Sequence, residues 1–246
     1  MDELSPLDAS SSPNLPTPEI KIVNLDSFTL ARGIMRQDVD AIRKTAVLNL
    51  ASDELPAGGW LTSLTKTQEE ALCYSSTLYV TLKPEYYPWP NTGPGSRAGV
   101  FSPGVVIFKD DLDHECVDLP PEDRRVVSVI TVAAPRCPSL TEDRTAFKDP
   151  SVLEDLRGKI RHIYRMAAHH GQQYLVLGAF GCGAYKCPPV LVAEEMKAIL
   201  MDDEFRGWFR QIVFAIYSSG EVGRRNFDVF SKVFEVGPSL NSLNES

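Results

Sequence analysis

Apolar residues recur along this chain with two alternating periods. Residues 27–44 place Phe28, Ala31, Ile34, Met35, Val39 and Ile42 on one face of a helix. The next run, 46–51 (AVLNLA), is short and apolar and ends at Ser52-Asp53-Glu54, which reads as a strand. Over 68–80, Ala71, Leu72, Ser75 and Leu78 return to helical spacing. Residues 84–103 (PEYYPWPNTGPGSRAGVFSP) are so dense in Pro, Gly and aromatics that they predict an irregular segment, long enough to have a function of its own. Two continuous apolar runs follow, 104–108 (GVVIF) and 126–132 (VVSVITV), of the kind buried on both faces of a parallel sheet. Residues 151–170 predict an amphipathic helix with Leu153, Leu156, Ile160, Ile163, Tyr164 and Ala167 as its stripe and Gly171 as its C-cap. A strand at 174–178, a helix at 189–200, a strand at 212–217 and a helix at 223–234 complete the pattern. Strands alternating with helices predict an α/β fold, helices covering both faces of a mainly parallel sheet.

The termini differ from this body. Residues 1–18 are rich in Ser, Pro and acid and predict a mobile tail; 238–246 read likewise, leaving 19–237 as one domain. The 246 residues suffice to bury a core without staples, and 43% hydrophobic residues is ordinary for a globular chain. A formal net charge of −8 argues against a sequence-independent nucleic-acid binder, which needs Lys and Arg to neutralise phosphates. It leaves room for a nucleotide ligand whose phosphates are held by backbone N–H groups. The five cysteines are odd in number and widely spaced, which favours a reducing compartment. Cys182 and Cys187 form C-x4-C with no second pair and no nearby histidine, a spacing that does not make a zinc site. The start, Met1-Asp2-Glu3, lacks the basic and apolar regions of a secretory signal, and no apolar run approaches the roughly 20 residues of a membrane span. The expectation is an intracellular protein, cytoplasmic or nuclear, with no membrane partner and no sequence-specific nucleic-acid partner.

In such sheets ligands bind beyond the carboxyl ends of the strands, so the loops after Leu50, Val132 and Gly178 matter most. The third, 178–189 (GAFGCGAYKCPP), has three glycines in six residues between a strand and a helix. Glycine lets backbone approach a ligand, and a helix N-terminus is a natural phosphate seat. The order G-x-x-G-x-G is neither a Walker loop nor the G-x-G-x-x-G of a dinucleotide oxidoreductase. A purely structural glycine turn is the bland alternative. The first loop, 56–70 (PAGGWLTSLTKTQEE), ends in Gln68-Glu69-Glu70. By itself this is the pattern of a helix start: Thr67 with Glu70 fits a capping box, and acids in a first turn suit the helix dipole. Beside a phosphate cradle on the same sheet it changes character. Two adjacent carboxylates near a diphosphate repel each other, which raises at least one of their pKa values toward that of a general acid. The middle loop, Ala133-Ala134-Pro135-Arg136, is read as an ordinary turn.

Together these segments resemble the microbial-type poly(ADP-ribose) glycohydrolases, a branch of the macrodomain superfamily. The family pattern is a triple glycine, a spacer, then Gln-Glu-Glu, matched here by Ala57-Gly58-Gly59, residues 60–67 and Gln68-Glu69-Glu70. Its second loop, G-A-F-G-C-G with an aromatic after it, is matched by residues 178–183 and Tyr185. Asn49-Leu50-Ala51-Ser52, the stretch from Arg97 to Val105, and Ala133-Ala134-Pro135 also look like family segments. The resemblance implies a three-layer α/β/α macrodomain with a mostly parallel mixed sheet. It implies that Glu70 protonates the leaving oxygen of a ribose–ribose bond and then activates water, and that Glu69 holds ribose hydroxyls. Gly58 and Gly59 would wrap the distal ribose, Gly181, Cys182 and Gly183 would offer N–H groups to the diphosphate, and Tyr185 would pack on the ribose. Asn49, Gln68 and Ala184 complete the implied substrate contacts. The implied ligand is ADP-ribose or poly(ADP-ribose), with ADP-ribosylated proteins as partners and neither metal nor cofactor.

Two residues depart from the family pattern. Ala57 stands at the first glycine, where a positive φ would cost alanine on the order of 1 kcal/mol. Ser52 stands at an asparagine and has a shorter reach. The intact pair of acids favours an enzyme; Ala57 and Ser52 favour a reader that binds ADP-ribose without hydrolysing it.

Overall fold

The computed structural model describes residues 3–62 and 65–235. Six strands, β1 (Glu19–Val23), β2 (Thr45–Leu50), β3 (Val100–Ile107), β4 (Arg125–Val132), β5 (Tyr174–Leu177) and β6 (Gln211–Ala215), form one sheet in the order β1-β6-β5-β2-β4-β3. All neighbours run parallel except β3, which is antiparallel to β4. The helices are α1 (Ser27–Gln37), α2 (Gln68–Ser75), α3 (Pro150–His169), α4 (Pro189–Leu200) and α5 (Gly220–Phe234).

Alternate residues of each central strand serve two cores. Ala46, Leu48, Leu175, Leu177, Ile212 and Phe214 pack under α3, α4 and α5. Val47, Tyr174, Val176, Val213 and Ala215 pack under α1 and α2. A strand covered on both sides needs apolar residues at every position, which is why these segments read as unbroken runs. The α/β/α layering and mostly parallel mixed sheet expected from the sequence are present.

Several boundaries differ from the expectation. The helix predicted over 27–44 stops at Gln37, because Asp38 turns to extended backbone and its carboxylate accepts from the Asp40 N–H, opening a short 3-10 turn instead. The helix predicted over 68–80 ends at Ser75: the Ser76 hydroxyl donates to the Leu72 carbonyl at 2.7 Å, and Ser76 pairs with Ile107 of β3. Strand β3 begins within the segment predicted to be irregular, with Pro103 and Gly104 inside a register shift between Ser102 and Val105. A bulge is where a ladder tolerates proline. Strand β1 was not predicted.

Residues 3–18, read above as mobile from composition, lie against the domain. Leu4 and Leu7 pack on the core, the Leu7 N–H donates to Glu204 (3.1 Å), the Leu15 N–H donates to the Gly207 carbonyl (2.9 Å), and Glu3 pairs with Arg97. The tail predicted for 238–246 lies outside the described residues. Among the described residues no helix is long and apolar enough to cross a membrane.

Candidate active site

Strands β5, β2 and β4 are consecutive in the sheet, so the loops singled out after Gly178, Leu50 and Val132 emerge side by side. The acids are positioned by α2. Gln68 at its first turn uses its whole amide on the end of β2: Nε2 donates to the Leu48 carbonyl (2.7 Å) and Oε1 accepts from the Leu50 N–H (2.9 Å). Gln68 was expected to touch substrate; its amide is instead the clamp that registers helix on strand.

Glu69 and Glu70 are both buried. The Asn49 amide donates to Glu69 Oε1 (3.1 Å) and the Ser52 N–H to Oε2 (2.7 Å). Burial, opposed by these two donors and reinforced by the charge of Glu70, raises the Glu69 carboxyl to about 8. Asn49 Nδ2 also reaches the Thr131 hydroxyl at 3.3 Å, so Asn49, expected to contact substrate, directs its amide group at Glu69 and β4. Glu70 Oε1 accepts from the Gly59 N–H at 2.8 Å, and its other oxygen takes the Thr67 hydroxyl. Thr67 makes no side-chain bond to the helix backbone, so the capping box expected from T-x-x-E does not form. Its hydroxyl serves the carboxylate instead.

The loop in front is tightly wound. Ala57 has φ +58 and is fully buried, and Gly58 has φ +53. A Cβ on Gly58 would lie 2.8 Å from Glu70 Oε1 and 3.2 Å from Glu69 Oε2. Glycine is required there, whereas alanine at 57 carries strain and nothing worse. The Ser52 hydroxyl accepts from the N–H groups of Glu54 and Leu55 and also hydrogen-bonds the Tyr185 hydroxyl.

The loop after β5 is built differently. Gly181 has φ +75, and a Cβ there would strike the Ala134 methyl at 2.6 Å. Gly183 would meet nothing within 4 Å. Cys182, expected to offer its N–H to a diphosphate, donates it to the Ala179 carbonyl at 3.0 Å. The N–H groups of Gly183, Ala184 and Tyr185 have no partner among the described residues, and the N-terminus of α4 begins just beyond, at Pro189. Tyr185 is half-buried and its hydroxyl donates to Asp53 Oδ1 at 2.8 Å; burial first, then this bond, pushes the phenol up.

Four residues that sequence reasoning missed tie these loops together. Asn91 donates to the Ala134 carbonyl (2.9 Å) and accepts from the Arg136 N–H (2.7 Å). Lys159 is fully buried and donates to the carbonyls of Asn91 (2.6 Å) and Ala133 (2.9 Å); burial pushes its ammonium down to about 8. The Trp89 N–H donates to the Asp53 carbonyl at 3.0 Å, and Asp53 itself holds both Tyr185 and Arg136. The turn after β4 is therefore a bracket between the other two loops. Lys159 leaves one trace in the sequence, a lysine at the margin of an apolar helical stripe; Asn91 and Asp53 leave none.

The family described as "Microbial-type PARG, catalytic domain" matches residues 6–110. No curated protein matches the chain in sequence. Among solved structures, poly(ADP-ribose) glycohydrolase from Thermomonospora curvata is 31% identical, with a TM-score of 0.76 over 89% of this chain and 77% of that one. The same protein bound to the inhibitor ADP-HPD aligns at 31% identity and a TM-score of 0.75, over 88% and 79% of the two chains. The enzyme from Deinococcus radiodurans in complex with ADP-ribose is 28% identical, with a TM-score of 0.75 over 92% and 87%. At 31% identity over 89% of its length and 77% of the Thermomonospora curvata enzyme, the chain belongs to the microbial-type poly(ADP-ribose) glycohydrolase family.

Proposed function

We propose that the chain hydrolyses the O-glycosidic ribose–ribose bond of poly(ADP-ribose) or a related ADP-ribose conjugate, with Glu70 as acid and base. The observation that carries this reading is the pairing of two loops. Glu69 and Glu70 are fixed at the end of β2 by Asn49, Ser52, Gly59 and Thr67. One strand away the N–H groups of Gly183, Ala184 and Tyr185 are without partners among the described residues. The related structures with ADP-ribose and with ADP-HPD support the ligand class.

In this reading the diphosphate lies on the β5 loop and the distal ribose over β2. The strand order then carries the adenosine toward β6 and β1. Glu70 gives a proton to the oxygen leaving C1″ as that bond breaks. The oxocarbenium-like centre is stabilised by the nearby diphosphate. Water then adds to C1″ and returns a proton to Glu70. Glu69, neutral at pH 7 because its carboxyl sits at about 8, holds ribose hydroxyls without adding a second negative charge beside the diphosphate. Tyr185, held by Asp53, forms a wall for the ribose.

Ser52 favours the second reading, a reader without turnover, since it is shorter than the asparagine of the family pattern. Incubation with poly(ADP-ribose) decides. Wild type should release ADP-ribose, and Glu70→Gln should lower the rate by about 10²–10⁴, the range for losing a general acid–base. If neither releases product while calorimetry finds both binding ADP-ribose, the chain is a reader.

A further inference from the structure

We propose that Lys159 is a positioning residue for the diphosphate: it holds the N–H cradle of the β5 loop from behind and supplies a buried positive charge that the ligand's phosphates balance, so that ADP-ribose binds together with a proton. The inference rests on the ligand site proposed above and adds what lies beneath it.

One support is a chain of bonds. The Lys159 ammonium donates to the carbonyls of Asn91 (2.6 Å) and Ala133 (2.9 Å). Asn91 in turn grips the turn after β4, donating to the Ala134 carbonyl and accepting from the Arg136 N–H. That turn packs directly on the β5 loop. The Cys137 N–H donates to the Tyr185 carbonyl (2.9 Å), the Cys187 thiol donates to the Pro135 carbonyl (3.2 Å), and a Cβ on Gly181 would strike the Ala134 methyl. Lys159 thus fixes the turn, and the turn fixes the backbone from which Gly183, Ala184 and Tyr185 present their N–H groups.

The other support is charge. Lys159 is fully buried, and among the described residues its ammonium bonds only to carbonyls, with no carboxylate in ion-pair contact. The two carboxylates that act on it from further off are committed elsewhere. Asp155, on its own helix, takes the Gly93 N–H and lies 3.7 Å from Arg97; Asp53, in the loop after β2, takes the Tyr185 hydroxyl and lies 3.7 Å from Arg136. Cys187 of the β5 loop faces it too, but burial pushes that thiol up to about 12 and keeps it neutral. Burial therefore outweighs the carboxylates and pushes the ammonium down to about 8. A buried cation is costly unless an opposite charge meets it, and a diphosphate on the cradle is such a charge. The sign follows: an anion there favours the charged ammonium, so binding is strongest while Lys159 is protonated and weakens as pH rises through 8.

Glu69 also sits at about 8, so the test is made on a Glu69→Gln background. Calorimetry with ADP-ribose, the reaction product, measures binding whether or not the chain turns polymer over. Affinity should fall about tenfold from about pH 7 to about pH 10, the linkage for a ligand that raises one pKa from about 8 to about 9. Adding Lys159→Gln, whose amide still donates to a carbonyl but carries no charge, should flatten the profile at the weak, high-pH value. NMR of lysines labelled with 13C at Cε reads the ammonium directly and needs no second substitution. The signal titrating near pH 8 should move to about 9 with ADP-ribose bound. Absence of such a signal, or one that ADP-ribose leaves in place, overturns the proposal. So does a flat affinity profile before Lys159 is changed, with an equal loss at every pH afterwards, which would mean that Lys159 acts through packing alone. No affinity for ADP-ribose at any pH, in wild type as well, rejects the ligand site proposed above; binding without the shift rejects only the role of Lys159.

Discussion

The loop after β2 and the loop after β5 are both glycine-rich turns at the same end of one sheet, yet they are opposites in construction. After β2 the polar groups are committed inside the protein: Gln68 to two backbone groups, Glu69 to Asn49 and Ser52, Glu70 to Gly59 and Thr67. Backbone is wound left-handed at Ala57 and Gly58 to make this possible. After β5 three successive N–H groups lack partners among the described residues, and Gly183 faces open space. A reacting group must be held in one geometry before substrate arrives. A polyanion is better met by donors not already engaged. On the proposed function one loop is organised for chemistry and the other for binding, and four experiments can separate them.

The largest effect expected is on the pH dependence of stability in the ligand-free protein. Glu69 sits at about 8 in the fold against 4.5 for an ordinary glutamate. The sign follows from this: the folded chain holds that proton more tightly, so the contribution is full below about pH 4.5 and is lost as pH rises through 8. The loss is on the order of 4–5 kcal/mol across that window. Denaturant melts at a series of pH values should fall in this sense for wild type, and Glu69→Gln should flatten the trend. A wild-type profile rising from pH 5 to 8 would place the cost of this loop elsewhere.

Next is Gly58→Ala. The added methyl meets Glu70 Oε1 at 2.8 Å on backbone at φ +53, so the acid must move. Turnover should drop by about 100-fold, the scale of a misplaced catalytic group, while ADP-ribose affinity changes by less than about tenfold. Normal turnover would show that the acid does not need its present position. The converse is Gly183→Val. With negative φ and no neighbour within 4 Å, it should leave folding stability within about 0.5 kcal/mol of wild type, as for an exposed substitution. It should weaken ADP-ribose binding at least tenfold, about 1.4 kcal/mol. Unchanged affinity in calorimetry would remove this loop from the ligand site.

The smallest effect belongs to Ala57→Gly. Relief of the left-handed backbone returns on the order of 1 kcal/mol. Loss of a buried methyl and a freer unfolded chain take back about as much. Stability within about 1 kcal/mol of wild type is therefore expected; a gain above about 2 kcal/mol would mean that the strain was larger than one residue's worth.

The sheet and its helices were legible because burial on both faces writes unbroken apolar runs into β2, β4, β5 and β6. Strand β1 was missed because an edge strand of five residues, EIKIV, alternates with charge and resembles a loop margin. The ends of α1 and α2 were missed because Asp38 and Ser76 stop helices through side-chain bonds that hydrophobic periodicity does not register. In the site, glycines and paired acids announce themselves by type and spacing. The functions of Gln68, Asn49 and Cys182 do not: what each side chain or N–H touches depends on partners brought close by folding. The bracket of Asp53, Asn91, Lys159 and Arg136 joins positions as far apart as 53 and 185 and carries no local pattern.

The bulged strand β3 also governs how this chain meets copies of itself. A sheet edge with regular unpaired N–H and C=O groups invites another strand to add to it. At one edge Pro103 offers no N–H, and the register shift between Ser102 and Val105 breaks the row of groups that an incoming strand would follow. At the other, β1 is short and carries Glu19 and Lys21, charges that a second apolar strand would have to bury. Fibrillar, edge-to-edge association is thus opposed on both flanks, and on the β3 side the segment after α2 adds to this, with Ser76 bridging Ile107 and the Val106 N–H donating to the Thr77 hydroxyl at 2.9 Å.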